Sequence, residues 1–478
     1  MSWLWTTAEM VAVMDGRPSG QTLPEGVTGI SIDSRSISPG EAFFAIKGDR
    51  VDGHDFATTA VANGAALMVV SEAKLPALGR LTVPMIVVED VLLALGKLAV
   101  AARARSHGQI VAVTGSVGKT TTKEILRAVL SPSGKVHAAV ASFNNHWGVP
   151  LTLARMPADA AFGVFEIGMN HADEIRPLVK MVRPHVAVIT TIAAAHLGHF
   201  KNLDEIAAAK AEIFEGLEPG GVALLNRDIK QYGYLERMAQ EAGVETVLTF
   251  GQHAKADFQL ADFEGTADGS TIWAVLGSET VEVQIGAPGR HIAENAIACL
   301  GVVALFGANL EAARAALADI RPVKGRGERH RLGLGEGHLT LIDESYNANP
   351  ASMRAAIALL ATSEPELAGR RIAVLGDMLE MGEFSASVHE DLAGPLLAAG
   401  IEHVWLAGAE MAALRDALPD SVQVEYRPAT AELVDHVVRS VIPGDVLMVK
   451  SSLGLGFGKI VAALIDNYPA LPDREPQL

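Results

Sequence analysis

A lysine and two threonines behind a glycine turn set the chemistry this sequence can carry. In Val111-Ala112-Val113-Thr114-Gly115-Ser116-Val117-Gly118-Lys119-Thr120-Thr121 an apolar run enters the turn, and a helix follows from about Thr120. Gly115 and Gly118 permit positive φ and close backbone approach. Consecutive N–H groups along Thr114, Gly115, Ser116, Val117 and Gly118 then aim at one point at the positive end of a helix, where an anion binds. Lys119 is placed to reach β- and γ-phosphates, and the Thr120 hydroxyl to ligate Mg²⁺. The general pattern G-x-x-x-x-G-K-[ST] asks for glycine five residues before Gly118, but Val113 stands there. What remains is T-G-S-x-G-K-T-T, in the strand–turn–helix context that a nucleoside triphosphate site requires.

Three more side chains could serve that site. Glu166 ends an expected strand at 162–167, and strand carboxyl ends face the ligand crevice of an open parallel sheet. A carboxylate there suits a second divalent ion, although a strand-end acid is as often simply solvated. His196 follows an expected strand at 186–191 and would reach the same crevice; on its own it reads equally as a surface loop histidine. Lys210 lies on an expected helix at 203–216, and its own context reads as an ordinary exposed lysine.

The elements that must position these groups alternate. From 1 to 106, short strands at 29–33, 42–46, 67–70 and 85–88 are separated by glycine and proline turns and closed by a helix at 91–105. From 107 to 320, strands at 110–114, 162–167, 186–191 and 222–226 alternate with helices, as βαβ units of a mostly parallel sheet do. Strand-rich pieces at 270–275 and 280–285 suggest an antiparallel edge, followed by a helix at 293–306. From 321 to 478, strands at 339–343, 371–376, 403–407 and 445–449 make a second doubly wound unit. The predicted fold class is α/β in three domains: a small N-terminal α/β domain, a central P-loop mononucleotide-binding α/β domain and a C-terminal Rossmann-like α/β domain.

Composition agrees. The 478 residues suggest about three domains. With 49% hydrophobic and 20% charged residues the chain is globular rather than disordered. Lysine and arginine total 39 against 56 acids, a formal charge of −17, which excludes a broad nucleic-acid-binding face but not a small anion held by a few donors. The lone Cys299 cannot form an internal disulfide or a cysteine-based metal site, and it points to a reducing, cytoplasmic setting. MSWLWTTAEM is not a signal peptide, and the longest apolar stretch, near 297–306, is about half a bilayer span.

Together these residues resemble the Mur ligases, ATP-dependent amino-acid-adding enzymes of peptidoglycan synthesis. The family loop, T-G-T/S-x-G-K-T/S, also lacks the first Walker glycine. Asn144-Asn145-His146-Trp147-Gly148-Val149-Pro150-Leu151-Thr152 is similar to the family's N-N-x-x-G-x-P-x-T segment. Ala194-Ala195-His196-Leu197 and Ala209-Lys210-Ala211-Glu212-Ile213-Phe214 match as well. The resemblance implies that Lys210 is carbamylated by CO₂ to become an oxygen ligand, and that Glu166 and His196 complete a second Mg²⁺ site. Gly289-Arg290-His291 through Asn295 resembles the adenine-side G-R-H-N-x-x-N motif, with Ile292 in place of its first asparagine.

The resemblance extends to both ends of the chain. The segments 33–48 and 52–56 look like the family's UDP-sugar-binding domain and imply that Ser34, Arg35, Lys47 and the Asp52-Gly53-His54 turn lie near uridine and diphosphate. Asn144 and Asn145 are implied substrate contacts. Arg326 aligns with an arginine on ATP phosphate, and Asp343 would hydrogen-bond the ribose. Ser345-Tyr346-Asn347-Ala348-Asn349-Pro350 matches the branch that adds D-alanyl-D-alanine, where another branch has D-Y-A-H-T-P. It implies substrate roles for Tyr346, Asn347 and Asn349, to which Asp377 and His389 are added. Leu453 stands where many members carry arginine. The expected reaction is carbon–nitrogen ligation: ATP and two Mg²⁺ activate the carboxylate of UDP-N-acetylmuramoyl-tripeptide as an acyl phosphate, which the D-alanyl-D-alanine amine attacks. Lys119, Lys210 and His196 are the expected catalytic groups, in a cytoplasmic monomer. The family branch with D-Y-A-H-T-P, a folylpolyglutamate-type ligase and, from another class, a nucleotide-dependent switch or binding module are the competing readings.

Overall fold

The computed structural model describes residues 3–48, 51–79, 81–140, 142–195 and 197–472. Its first sheet holds five strands in the order Arg17–Gly20, Pro84–Val88, Leu67–Ser71, Glu41–Phe44, Gly29–Ser31. The last four, all read as strands in the sequence, are parallel. Arg17–Gly20 is an antiparallel edge that sequence reading passed over, because Arg-Pro-Ser-Gly has no apolar alternation and its proline is tolerated only at an edge. The helix Val91–Arg105 starts where Asp90 accepts a hydrogen bond from the Leu93 amide at 2.8 Å. Its Leu95, Leu98 and Ala102 pack against Leu151 and Ala154 of the helix Gly148–Ala154, which belongs to the next layer. The Trp5 indole N–H donates to the Ala154 carbonyl at 2.8 Å, and the Arg105 guanidinium lies 3.5 Å over that ring. The first layer is therefore bolted to the second by buried apolar surface.

The second sheet has nine strands, in the order Glu279–Ile285, Ser270–Leu276, Phe258–Gly265, Thr246–Gly251, Val222–Asn226, Val186–Ile189, Gln109–Thr114, Phe162–Glu166, Val136–Ala138. The run from Val136–Ala138 to Phe258–Gly265 is parallel, and the two remaining pairings are antiparallel, the expected edge. Gln109–Thr114 lies between Phe162–Glu166 and Val186–Ile189 with Glu166 opposite Val113 and Ile189 opposite Thr114. This register brings the three carboxyl ends to one level. The helices Lys119–Leu130 and Arg290–Leu305 cover one face, and Ile175–Val182 and Leu203–Ala211 the other.

The third sheet orders six strands as Glu328–Leu334, Gly337–Glu344, Val446–Lys450, Arg371–Gly376, His403–Ala407, Gln423–Arg427, all parallel except the first. The first and last were not expected: both are edge strands with only two alternating apolar residues each, Leu332 and Leu334 in one, Val424 and Tyr426 in the other. Its carboxyl ends, at Glu344 and Lys450, face those of the second sheet.

Candidate active site between the second and third sheets

The glycine turn adopts the geometry its sequence implied. Gly115 has φ +150° and Gly118 φ +89°. A Cβ on Gly118 would sit 2.9 Å from Asn295 Oδ1, so the helix Arg290–Leu305 presses directly on the turn. The turn is fixed from the neighbouring strand: Ser116 N–H donates to the Thr191 carbonyl (2.9 Å), Ser116 Oγ accepts from Ala193 N–H (3.0 Å), and the Thr190 hydroxyl donates to the Val117 carbonyl (2.6 Å). Lys119 Nζ bonds the Gly115 carbonyl at 2.7 Å. Burial pushes the Lys119 ammonium below its usual range, the Glu166 charge opposes this and Arg326 adds to it. Val113, where the general motif has glycine, is a fully buried strand residue.

Glu166 is 2% exposed, and each of its oxygens accepts a hydrogen bond. Its Oε2 accepts from the Thr120 hydroxyl at 2.9 Å and its Oε1 from Asn144 Nδ2 at 2.6 Å. The Ser142 hydroxyl is 3.3 Å from Thr120 Oγ1. The two metal candidates Thr120 and Glu166 are thus adjacent, among hard oxygen donors. Lys210 corrects the reading of an exposed lysine: it is 1% exposed, because it lies at the buried end of its helix with Ile206, Ala207, Ala209 and Ala211. Burial drives its ammonium well below the normal range, and the Lys119 charge pushes in the same direction. His196 lies outside the described residues.

A cleft of about 430 Å³ joins this turn to the third sheet. Gly325, at φ +72°, turns the chain so that the Arg326 guanidinium lies 4.3 Å over the Tyr346 ring. Lys450 Nζ, 2% exposed, donates to Glu344 Oε2 (3.0 Å) and the Asn347 carbonyl (2.9 Å). Asn349 caps the helix Pro350–Ala361 in a reciprocal capping box with Ser352. His291 enters from the second sheet's side. Burial lowers its imidazole, the Glu344 charge raises it and the Lys450 charge lowers it. Lys119, Arg326 and Lys450 therefore converge on one crevice, as a polyphosphate requires.

Several expected contacts lie elsewhere. Asp343 is buried, its Oδ1 accepting from the Ser345 amide (3.0 Å) and hydroxyl (2.6 Å), and it does not line the cleft; Glu344 does. Consecutive strand residues face opposite sides, so of two adjacent acids only one can face the nucleotide. His389 is fully buried, accepting from the Met378 amide at 2.9 Å while its Nδ1 donates to the Ser385 carbonyl at 2.7 Å, which makes it a clamp within the third layer. Asp377 is likewise buried, accepting from the Met411 amide; burial raises its carboxyl against that hydrogen bond. Asn145 accepts from the Gly148 amide at a helix start rather than lining the cleft.

In the first layer, Asp52 Oδ1 is 2.6 Å from His54 Nδ1, His54 Nε2 accepts from the Ser71 amide, and Gly53 leaves no room for a Cβ against the Ile46 carbonyl. Ser34 is buried, Lys47 exposed, and Arg35 84% exposed in an ion pair with Asp33. None of these six lines the cleft between the second and third sheets. His291, Glu294, Glu344 and Lys450, which do, were not singled out. Their motif positions were legible, but which of neighbouring residues turned inward was not.

Known proteins supply the remaining observations. Residues 113–303 match the Mur ligase middle domain, 26–103 the Mur ligase family catalytic domain and 325–453 the Mur ligase glutamate ligase domain. The chain is 34% identical over 465 residues to the UDP-N-acetylmuramoyl-tripeptide–D-alanyl-D-alanine ligase of Escherichia coli strain K12, covering 97% of this chain and 98% of that protein. It resembles the crystal structure of MurF from Acinetobacter baumannii with a TM-score of 0.83 and 29% identity, over 97% of this chain and 99% of that one. The MurF ligase of Thermotoga maritima in complex with ADP gives a TM-score of 0.74 at 26% identity, over 91% and 96% of the two chains. On the strength of full-length identity and of three matched regions in order, this chain belongs to the Mur ligase family, among the UDP-N-acetylmuramoyl-tripeptide–D-alanyl-D-alanine ligases.

Proposed function

We propose that this chain uses ATP to join D-alanyl-D-alanine to the peptide carboxylate of UDP-N-acetylmuramoyl-tripeptide, releasing ADP and phosphate, in the cytoplasmic synthesis of peptidoglycan precursors. The observation that carries the reading is the meeting of Lys119, Glu166 and Arg326, drawn from two sheets, on one cleft. A carboxylate is a poor acyl donor to an amine, and phosphorylation gives it a good leaving group. Lys119 and Arg326 offset the charge of the transferring phosphoryl group, and the Tyr346 ring keeps the guanidinium in place. The turn from Tyr346 to Asn349, held by Lys450 and the Asn349 cap, presents the amine substrate. Of the two adjacent acids, we assign Glu344 to the ribose.

The oxygen-rich pairing of Thr120 with Glu166 fits Mg²⁺. Thr120 would hold one ion, and Glu166, His196 and Lys210 a second. When bound, the ions neutralise phosphate charge. Lys210 suits carbamylation because burial lowers its ammonium and so favours the neutral amine, the form that adds CO₂, and the resulting anion would balance Lys119. We assign 1–106 to the UDP-sugar, with Ser34, Arg35, Lys47, Asp52, Gly53 and His54 near it, 107–320 to ATP, and 321–478 to the dipeptide side.

The test is phosphate release from ATP with and without each acceptor. A ligase should depend on both UDP-N-acetylmuramoyl-tripeptide and D-alanyl-D-alanine, and Lys119→Ala should abolish amide formation. Release that ignores both peptides would instead mark a nucleotide-dependent switch.

A further inference from the structure

The cleft continues past the phosphate turn along the start of the helix Arg290–Leu305, where Asn295 touches Gly118 and Glu294 also lines the wall. A nucleotide whose phosphates lie on the turn has its base to place along this cleft. Three acidic side chains line it. Glu166, bonded to Thr120 and Asn144, is assigned above to the metal, and Glu344, bonded to Lys450, to the ribose. Glu294 differs: Gln252 Nε2 donates to its Oε1 at 2.9 Å, and its Oε2 has no hydrogen-bond partner among the described residues. Gln252 is itself oriented, its Oε1 accepting from Arg290 Nη1 at 3.0 Å and its backbone N–H bonding Asp228. This chain of contacts holds the Glu294 carboxyl at a set position beside the turn. Ile292, two residues earlier, is apolar and packed into the core, so it brings no hydrogen-bonding group.

We propose that Glu294 is the purine-selecting residue of this site, accepting a hydrogen bond from the 6-amino group of adenine and rejecting purines that carry a 6-oxo group there. The assignment rests on the reading of the cleft as a nucleotide site. A 6-oxo oxygen facing a carboxylate oxygen sets two acceptors against each other, and a site built to pair with a donor discriminates strongly against its absence. Burial and the neighbouring Asp228 charge hold the Glu294 carboxyl above its usual range, while Gln252 and Arg290 work against that shift. A protonated carboxyl would still accept through one oxygen and could donate to an adjacent ring nitrogen.

Equilibrium binding of ADP and IDP to the full chain, with Mg²⁺ present, tests this, because the two differ only at the 6-substituent and in the N1 proton that the 6-oxo form carries. The unaltered protein should bind ADP more than about tenfold tighter than IDP. Glu294→Gln, near-isosteric and able to donate to a 6-oxo group, should bring the two affinities within about twofold, and Glu294→Ala should lose ADP affinity while leaving IDP little changed. The kcat/KM ratio for ATP against ITP should narrow in parallel. An unchanged ADP-to-IDP ratio in both variants overturns the assignment while leaving the nucleotide site intact. Failure of the unaltered chain to bind either nucleotide overturns the nucleotide reading itself, and this assignment with it.

Discussion

At the scale of single residues, burial separates the groups that meet ligand from those that hold the frame. Asp52 and Lys119 both sit in sequences rich in phosphate chemistry, but Asp52 spends its oxygens on the protein. Burial resists its ionisation, yet hydrogen bonds from Lys74 and His54 outweigh that and hold the carboxyl below its usual range. A carboxylate with a depressed folded value stabilises fully above the unfolded value of roughly 4, and that contribution fades as pH falls through the folded value. Asp52→Asn should therefore lower stability by about 1–2 kcal/mol near neutral pH. The gap between the two proteins in urea unfolding should shrink as the medium is acidified below pH ~4. A gap that widened in acid would contradict the ion-pair account of this turn.

Among elements, the helix Lys119–Leu130 shows how a backbone conformation becomes a binding feature. Gly118 is its first flanking residue, at φ +89°, with Asn295 within 3.0 Å of where a Cβ would stand. Gly118→Ala introduces left-handed strain of about 1–2 kcal/mol and forces Asn295 away from the turn. Calorimetric titration with ADP should show affinity reduced by about tenfold or more, well beyond the modest fall in thermal stability. The element order was largely legible, since strands such as Phe162–Glu166 and Val222–Asn226 are continuous apolar runs between turn residues. Arg17–Gly20, Glu328–Leu334 and Gln423–Arg427 were not, because edge strands have too little apolar patterning to declare themselves.

For the whole molecule, the question is how the second and third sheets are held facing one another. The loop after Val186–Ile189 meets the third layer backbone to backbone: Gly198 N–H donates to the Glu380 carbonyl at 2.8 Å. A Cβ on Gly382 would lie 2.8 Å from the Gly198 Cα, and Gly382 has φ +56°. Gly382→Ala should loosen this contact and disturb the loop that carries His196. Because the phosphate turn is untouched, ADP affinity should stay within about twofold while kcat falls by about tenfold, the signature of impaired closure rather than lost nucleotide binding. Equal losses in both would show that this contact supports the nucleotide site directly.

The amino-acid sequence by itself determined the α/β class and the phosphate turn, because both rest on local chemistry: apolar periodicity, glycine at positive φ, and donors at fixed spacing; the ligase motifs were legible in it through their resemblance to the Mur ligases. Tertiary structure alone decided that Lys210 is enclosed, with burial lowering its ammonium, that Glu344 rather than Asp343 faces the cleft, and that His389 is a clamp. Those outcomes depend on what packs against a residue from far along the chain, and on which side of a strand its register turns it, and neither is written in the spacing of its neighbours.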